Sequence, residues 1–125
     1  MEQPRKILLV DDEEDFLETT SRRLGLRSFE VRTATCCTEA MAEVAAGWPD
    51  VVVLDVMLPG IDGFECLQRF KQAAPRIPVI MLTGHASMQS SVRGLQYGAS
   101  DYCLKPIELG ELVEKIIIAY KDAAG

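Results

Sequence analysis

The apolar residues of the chain fall into short continuous runs separated by longer stretches with helical spacing. Three runs, residues 6–10, 51–54 and 78–82, are apolar almost throughout, which is typical of strands buried on both faces of a sheet. Residues 29–34 alternate apolar and polar side chains and predict a strand with a more exposed face. A short run at 101–104 predicts the fifth strand.

Between these runs, apolar side chains recur at intervals of three and four residues, which predicts amphipathic helices. We expect helices at about 13–26 and 38–46, a third and a fourth covering at least 64–70 and 88–99, and a last one at about 109–120. The side chains expected to face inward are Phe16, Leu17, Thr20, Leu24, Met41, Val44, Ala45, Phe64, Leu67, Phe70, Met88, Val92, Leu95, Ala99, Leu109, Leu112, Val113, Ile116 and Ile117.

Strand and helix alternate five times, and this alternation predicts a parallel sheet covered on both faces through right-handed crossovers. We therefore expect an α/β protein with a single doubly wound (βα)5, flavodoxin-like domain and strand order 2-1-3-4-5. No linker or repeat interrupts the chain, so the domain is expected to span residues 1–125 with a core at about 5–121. A (βα)8 barrel would need about twice this length.

Composition narrows the classes of function. The chain has 125 residues, 48% of them hydrophobic, and a formal net charge of −6, which argues against direct binding to nucleic acid. No apolar run has the length of a membrane span or a signal peptide, so we expect a cytoplasmic protein without membrane contact. The four cysteines and one histidine lack the spacing of a zinc site, and we expect the cysteines to be reduced and packed as small apolar groups.

Polar residues stand directly after four of the five predicted strands. Asp11 and Asp12 follow the first strand, Asp55 the third, Thr83 the fourth and Lys105 the fifth, whereas the second ends without a charge. In the order 2-1-3-4-5 these four strands are neighbours, and open α/β sheets bind ligands beyond the carboxyl ends of their strands. The sequence therefore predicts that these side chains converge on one pocket.

The chemistry of this pocket follows from its charges. Three carboxylates and one ammonium would crowd together, and a hard divalent cation relieves that repulsion. Oxygen ligands favour Mg²⁺, and Mn²⁺ would substitute. Asp55 stands alone at the end of the central strand and is the candidate nucleophile for phosphoryl transfer, while Asp11 and Asp12 are better interpreted as metal ligands. Lys105 and Thr83 would stabilise the phosphoryl oxygens.

Each of these residues also has a purely structural interpretation. A single aspartate after a strand is more often a turn or helix-cap residue. Glu13, Glu14 and Asp15 are expected to complement the dipole of the first helix. Thr83 alone would be a helix N-cap, and Lys105 alone would be solvated. The prediction of a functional site depends on four strand ends coinciding in one fold.

These residues resemble the receiver domain of two-component response regulators, over nearly the whole chain. The resemblance implies a signalling domain that catalyses only its own phosphorylation and dephosphorylation. The segments that carry the resemblance are Val10-Asp11-Asp12, Leu54-Asp55-Val56-Met57-Leu58-Pro59-Gly60-Ile61-Asp62-Gly63, Leu82-Thr83-Gly84 and Gly98-Ala99-Ser100-Asp101-Tyr102-Cys103-Leu104-Lys105-Pro106.

The resemblance assigns the phosphoryl acceptor and the metal ligands. Asp55 would accept a phosphoryl group from a phosphohistidine of a sensor histidine kinase or phosphotransfer protein. Asp11, Asp12, Asp55 and the backbone carbonyl of Met57 would hold Mg²⁺. The side chains of Met57 and His85 occupy positions that tune the rate of dephosphorylation in this family.

The resemblance also assigns a switch. Thr83 and Lys105 would bind the phosphoryl oxygens, and Tyr102 matches the aromatic switch position. The bond between Lys105 and Pro106 would be cis. The changed surface would comprise the fourth helix, fifth strand and fifth helix, where an output domain, a partner or a second copy in a homodimer would bind. The motifs look more like those of receivers in transcriptional regulators than those of chemotaxis receivers.

Three alternatives remain open at this stage. The first is a receiver-like interaction domain that is never phosphorylated. The second is an aspartyl-phosphate phosphatase of the haloacid-dehalogenase type, although that family would place Asp-x-Asp where this chain has Asp11-Asp12-Glu13. The third is an FMN-binding, flavodoxin-like protein, although the five acids at 11–15 would repel its phosphate.

Overall fold

One parallel sheet organises the chain, whose computed structural model describes residues 3–84 and 93–124. The five strands are hydrogen-bonded in the order β2-β1-β3-β4-β5, which confirms the predicted fold class and topology. Their bounds are β1 Lys6–Val10, β2 Glu30–Ala34, β3 Val51–Leu54, β4 Val79–Thr83 and β5 Asp101–Leu104.

Helices cover both faces of the sheet. They are α1 Glu14–Leu26, α2 Cys37–Ala45, α3 Gly63–Ala73, α4 as described over residues 93–96, and α5 Leu109–Ala124. The last helix runs further than predicted. Its final turn contains Lys121 and Asp122 followed by two alanines, all exposed, so it carries no apolar spacing to indicate a helix, but it also contains no residue that would stop one.

Successive residues of the central strands point to opposite faces of the sheet, and both faces are buried. Leu8 and Val52 belong to an apolar cluster with residues of α2 and α3, whereas Ile7 and Val51 belong to a second cluster with residues of α1 and α5. This is why β1, β3 and β4 are apolar in sequence. The edge strand β2 is mostly exposed, as its alternating pattern predicts.

The prediction for the fourth helix is partly wrong. Leu95 was expected to face inward, but 53% of its surface is exposed. The close approach is made by Gly94 instead, where an added Cβ would lie 3.1 Å from Tyr102 and 3.3 Å from the sulfur of Met81. Gly94, which has no side chain, is therefore the residue of α4 that lies against the sheet. Two further predicted core positions of this helix, Met88 and Val92, lie outside the described residues. On α2, Ala45 was also expected to face inward but is exposed, because the buried side of that helix is formed by Cys37, Ala40 and Val44.

The expectation that all four cysteines are reduced is also wrong. Cys37 of α2 and Cys66 of α3 form a disulfide, with their Cα atoms 5.9 Å apart. The two residues are 29 positions apart in sequence, and they meet because α2 and α3 pack on the same face of the sheet. Cys36 and Cys103 are free. Burial raises the pKa of the Cys103 thiol to about 11, so this cysteine behaves as an apolar core residue.

Candidate functional site

The backbone fixes three of the predicted site residues at the carboxyl end of the sheet. The N–H groups of Asp11, Asp55 and Lys105 each donate to the last carbonyl of a neighbouring strand, at 3.0, 2.9 and 2.7 Å respectively. The parallel hydrogen-bond pattern thus continues one residue beyond each strand. As a result, the side chains that leave these positions start from a rigid sheet edge rather than from free loops.

The predicted acidic residues converge. Asp11, Asp12 and Asp55 each offer one carboxylate oxygen, and these three oxygens lie within 4.8 Å of one another. Asp11 and Asp55 are 2% and 4% exposed, whereas Asp12 is exposed. The cluster borders an open cleft of about 750 Å³ that Thr83 also lines. An all-oxygen set with open neighbouring space fits a hard divalent cation that keeps part of its hydration shell.

Asp11 and Asp55 each serve two purposes with their two oxygens. Oδ1 of Asp11 accepts from the N–H of Glu13 at 2.9 Å, and Oδ1 of Asp55 accepts from the N–H of Met57 at 3.1 Å. These bonds are the turn-type contacts that aspartate commonly makes after a strand. In both residues the other oxygen, Oδ2, lies near the ammonium of Lys105. The structural interpretation of these two aspartates as turn residues is therefore correct, and it leaves the second oxygen of each available for the predicted site.

Lys105 supplies a positive charge beside the buried carboxylates. Its Nζ donates to Oδ2 of Asp11 and, at 2.9 Å, to Oε1 of Glu13, and it lies 3.7 Å from Oδ2 of Asp55. Burial lowers the pKa of Lys105, but the hydrogen bonds to Asp11 and Glu13 and the charges of Asp11 and Asp55 outweigh it, so the net shift is upward. Lys105 in turn lowers the pKa of Glu13.

Asp55 is a carboxyl whose ionisation is opposed by its surroundings. Burial, and to a smaller extent the charge of Asp11, raise the pKa of Asp55 to about 6, against the opposing effects of the Met57 N–H and of Lys105. The carboxyl is nevertheless mainly ionised at neutral pH. It is therefore a negatively charged oxygen with little solvation, which is a favourable state for a nucleophile.

The loop after β3 holds Met57 at the mouth of the cleft. Gly63 begins α3 so close to the loop that an added Cβ would lie 2.5 Å from the Cα of Val56, and its N–H donates to the Val56 carbonyl at 3.0 Å. Asp62 caps α3 by accepting from the N–H of Phe64. Met57 is 59% exposed and lines the cleft.

The predicted switch residues lie on adjacent strands. Thr83 is fully buried at the end of β4. Tyr102 of β5 pairs in register with Met81 of β4. The half-buried ring of Tyr102 packs against the core and against Gly94 of α4. The Lys105–Pro106 bond is cis, as the resemblance implies. His85 lies outside the described residues.

Three further residues contact this site, and sequence reasoning did not single them out as site residues. Glu13, which was expected to complement the helix dipole and stands at the N-cap of α1, also pairs with Lys105. The ring of Phe16 lies 4.3 Å from the Lys105 Nζ. Arg93 of α4 lies 4.5 Å from the ring of Phe64 and 3.8 Å from Asp62. The acidic run 11–15 hinted at Glu13, but no local pattern indicated which acid would face the lysine.

The comparisons with known proteins identify the family. Residues 7–117 match the family model described as "Response regulator receiver domain", and the chain belongs to this family. It is therefore a signalling domain of the two-component type rather than a metabolic enzyme. The phosphatase and flavodoxin alternatives are thereby set aside.

The relatives place the chain more closely. It is 37% identical over 111 residues to the transcriptional regulatory protein PrrA of Mycobacterium bovis, an alignment that covers 89% of this chain and 48% of PrrA. The chain thus spans about half the length of this relative. A CheY-like receiver domain from Methanospirillum hungatei superposes with a TM-score of 0.90 at 32% identity, covering 96% of each chain.

A third comparison concerns the site itself. A response regulator from Burkholderia pseudomallei, solved with a phosphorylated aspartic acid, a calcium ion and citrate, superposes with a TM-score of 0.86 at 25% identity, and the alignment covers 96% of this chain and 71% of the Burkholderia chain.

Within the residues that the structure describes, no helix combines the length and apolar content needed to cross a bilayer.

Proposed function

We propose that this domain accepts a phosphoryl group on Asp55 in a Mg²⁺-dependent reaction and changes conformation in response. The donor would be a phosphohistidine of a sensor histidine kinase or phosphotransfer protein. The observation that carries the proposal is the pocket, where a buried carboxylate opens into a cleft beside a lysine and two further acids. The phosphorylated aspartate and calcium ion of the Burkholderia relative support it.

The metal would be held by Asp11, Asp12, Asp55 and the backbone carbonyl of Met57. Bound there, Mg²⁺ supplies positive charge that offsets the carboxylates and the transferred phosphoryl group. Mn²⁺ offers the same oxygen-binding chemistry and would substitute.

The chain's own residues perform the transfer by position and charge. Oδ2 of Asp55 forms a bond to phosphorus while the bond from phosphorus to the donor's imidazole nitrogen breaks, and the imidazole leaves with that electron pair. Lys105, with its Nζ 3.7 Å from this oxygen, and the buried hydroxyl of Thr83 would donate hydrogen bonds to the phosphoryl oxygens. Hydrolysis of the acyl phosphate would later return Asp55 to its starting state.

The response would pass through Thr83 and Tyr102 to the face formed by α4, β5 and α5. On this face, Asp101 of β5 pairs with Lys115 of α5 at 3.0 Å, and the side chain of Leu104 is 54% exposed. An exposed apolar side chain beside charged residues suits a surface that binds a partner or a second copy. The name of the relative PrrA supports a transcriptional output.

Labelling with a small phosphodonor tests the nucleophile. Acetyl phosphate with Mg²⁺ should add one phosphoryl group, detected by mass spectrometry of the intact protein. Asp55→Asn should abolish the gain in mass because an amide oxygen is a poor nucleophile. Asp50→Asn, at the opposite end of the sheet, is the matched control and should be labelled like wild type. Equal labelling of the Asp55→Asn variant would overturn the assignment, and an unlabelled wild type would favour a receiver that is not phosphorylated.

A further inference from the structure

The ammonium of Lys105 lies on the side of the pocket next to α1 and makes no hydrogen bond to Asp55. Its hydrogen bonds run to Asp11 and Glu13, and the ring of Phe16 lies 4.3 Å from Nζ. The distance of 3.7 Å to Oδ2 of Asp55 is too long for a hydrogen bond. The lysine is thus held beside the nucleophile but oriented away from it.

We propose that Glu13 is a positioning residue that holds Lys105 away from Asp55 and so slows phosphorylation. An ammonium has three N–H donors, and Lys105 uses two of them on Asp11 and Glu13. To donate to a phosphoryl group on Asp55, which now lies beyond hydrogen-bond distance, the ammonium must turn toward that side of the pocket, and the bond to Glu13 restrains this movement. The inference rests on the proposed function, because it concerns how readily that same site reacts.

Glu13 differs from Asp11, the other partner of Lys105. Asp11 belongs to the acid cluster, where a cation would compete with Lys105 for its carboxylate. Glu13 stands outside that cluster, so its bond to Lys105 does not depend on that competition. Its backbone is also fixed, because its N–H donates to Oδ1 of Asp11 at 2.9 Å. Glu13 is therefore the partner that would retain the lysine when a cation is bound.

The exposures of the two side chains set the size of the effect. The Lys105 side chain is 12% exposed and the Glu13 side chain 65% exposed, so solvent screens the pair on one side. Such partly exposed pairs are weak, and we expect loss of the Glu13 charge to accelerate labelling by about two- to fivefold. The gain should appear in the rate at saturating donor, because Glu13 acts on Lys105 rather than on the donor.

Three variants separate the contact from the charge. Glu13→Gln removes the charge and leaves a weaker acceptor. Glu13→Asp keeps the charge, but its side chain is shorter by one methylene and should hold Lys105 less well from the same backbone position. Glu14→Gln makes the same change of net charge at an exposed neighbour in the first turn of α1, and Glu14 is not among the contacts described for Lys105.

Two measurements are made on each variant. The first is the rate of labelling by acetyl phosphate with Mg²⁺ as a function of donor concentration. The second is the NMR chemical shift of the Lys105 ε-methylene group, which the ring current of Phe16 should displace while the ammonium lies beside that ring. Glu13→Gln and Glu13→Asp should both react faster and lose part of the displacement, whereas Glu14→Gln should match wild type in both.

The outcomes separate this inference from the proposed function. If Glu13→Asp behaves like wild type while Glu14→Gln reacts as fast as Glu13→Gln, net charge alone is responsible and the inference is wrong. An unchanged Lys105 shift in Glu13→Gln also overturns it. An unlabelled wild type would instead overturn the proposed function, and the shift comparison would still decide whether Glu13 holds the lysine.

Discussion

Aspartates stand at both ends of the sheet, but their environments are opposite. At the amino end, Oδ2 of Asp50 accepts from the N–H groups of Arg5 and Lys6 at 2.9 and 3.0 Å. At the carboxyl end, Asp11 and Asp55 are buried side by side and share Lys105. At the amino end, two backbone N–H groups bind the carboxylate. At the carboxyl end, two buried carboxylates lie close together, and one lysine offsets only part of their negative charge.

The difference indicates what each end contributes. Asp50 joins the starts of β1 and β3, since its own N–H also donates to the Lys6 carbonyl at 2.7 Å. Its role is structural. The carboxyl end instead keeps a carboxyl whose pKa is raised to about 6, which destabilises the folded state at neutral pH. Such a cost is typical of residues retained for function rather than for stability.

Neutralising Asp55 should produce the largest change in stability. The pKa of Asp55 is about 6 in the folded state and about 3.9 in an unfolded chain, so ionisation costs the folded protein up to about 3 kcal/mol. The penalty is absent below about pH 4 and complete above about pH 6. Asp55→Asn should therefore raise the free energy of unfolding at pH 7, without metal, and lose this advantage at pH 4.

Urea unfolding with a chelator at both pH values measures this prediction. Asp50→Asn is the control and should show no gain at pH 7, because Asp50 is satisfied by backbone donors. A gain for Asp55→Asn that is the same at both pH values would show that burial of the charge is not its cause.

A divalent cation should have the next largest effect. Mg²⁺ at some tens of times its dissociation constant should raise the free energy of unfolding by about 2 kcal/mol, because it binds the folded state only. Asp12→Ala should remove most of this response and leave the metal-free protein at least as stable as wild type. Asp15→Ala, an acid in the first turn of α1 outside the cluster, should respond like wild type. A melting temperature indifferent to millimolar Mg²⁺ would contradict a metal site here.

Removing the carboxylate at the amino end should change stability in the opposite direction. Asp50→Ala leaves two backbone N–H groups without their acceptor and should lower the free energy of unfolding by about 1.5 kcal/mol. Asp50→Asn should cost much less, because both N–H groups donate to the same oxygen and an amide oxygen can replace it. If the two variants are equally unstable, the charge rather than the hydrogen bonds is what matters at this end.

Sequence reasoning predicted the carboxyl end well for a physical reason. Buried parallel strands are recognisable as apolar runs, and parallel topology brings their carboxyl ends to one edge of the sheet. The strand order therefore placed Asp11, Asp55 and Lys105 together before any contact was known. The positions of Asp11 and Asp55 next to buried residues also explain why they are themselves buried.

Contacts between distant parts of the chain were not predictable in the same way. Lys105 and Glu13 are 92 positions apart, and the acidic run 11–15 contains no local signal of which acid faces the lysine. The Cys37–Cys66 disulfide depends on the packing of two helices, and spacing along the chain does not reveal it. The exposure of Leu95 depends on how α4 is rotated against the sheet, which the apolar pattern alone did not determine.

The smallest effect on stability, but an informative one, should come from Thr83. Thr83→Ala removes a buried hydroxyl and methyl at the carboxyl end and should cost about 1 kcal/mol. Its main effect should be on the response to beryllofluoride, a mimic of the phosphoryl group. In wild type, amide NMR shifts should change in the pocket and also across residues 93–104.

Thr83 connects the pocket with residues 93–104, since it lines the cleft and pairs in register with Leu104 of β5. A bound group can shift a conformational equilibrium only through a contact that differs between the two states, and the Thr83 hydroxyl is the contact that we assign. Thr83→Ala should therefore keep the shifts around Asp55 and lose those at 93–104. Thr20→Ala, a buried threonine of α1, controls for a general loss of packing and should respond fully. If Thr83→Ala still shifts residues 93–104 as wild type does, the pocket communicates with this face by another route.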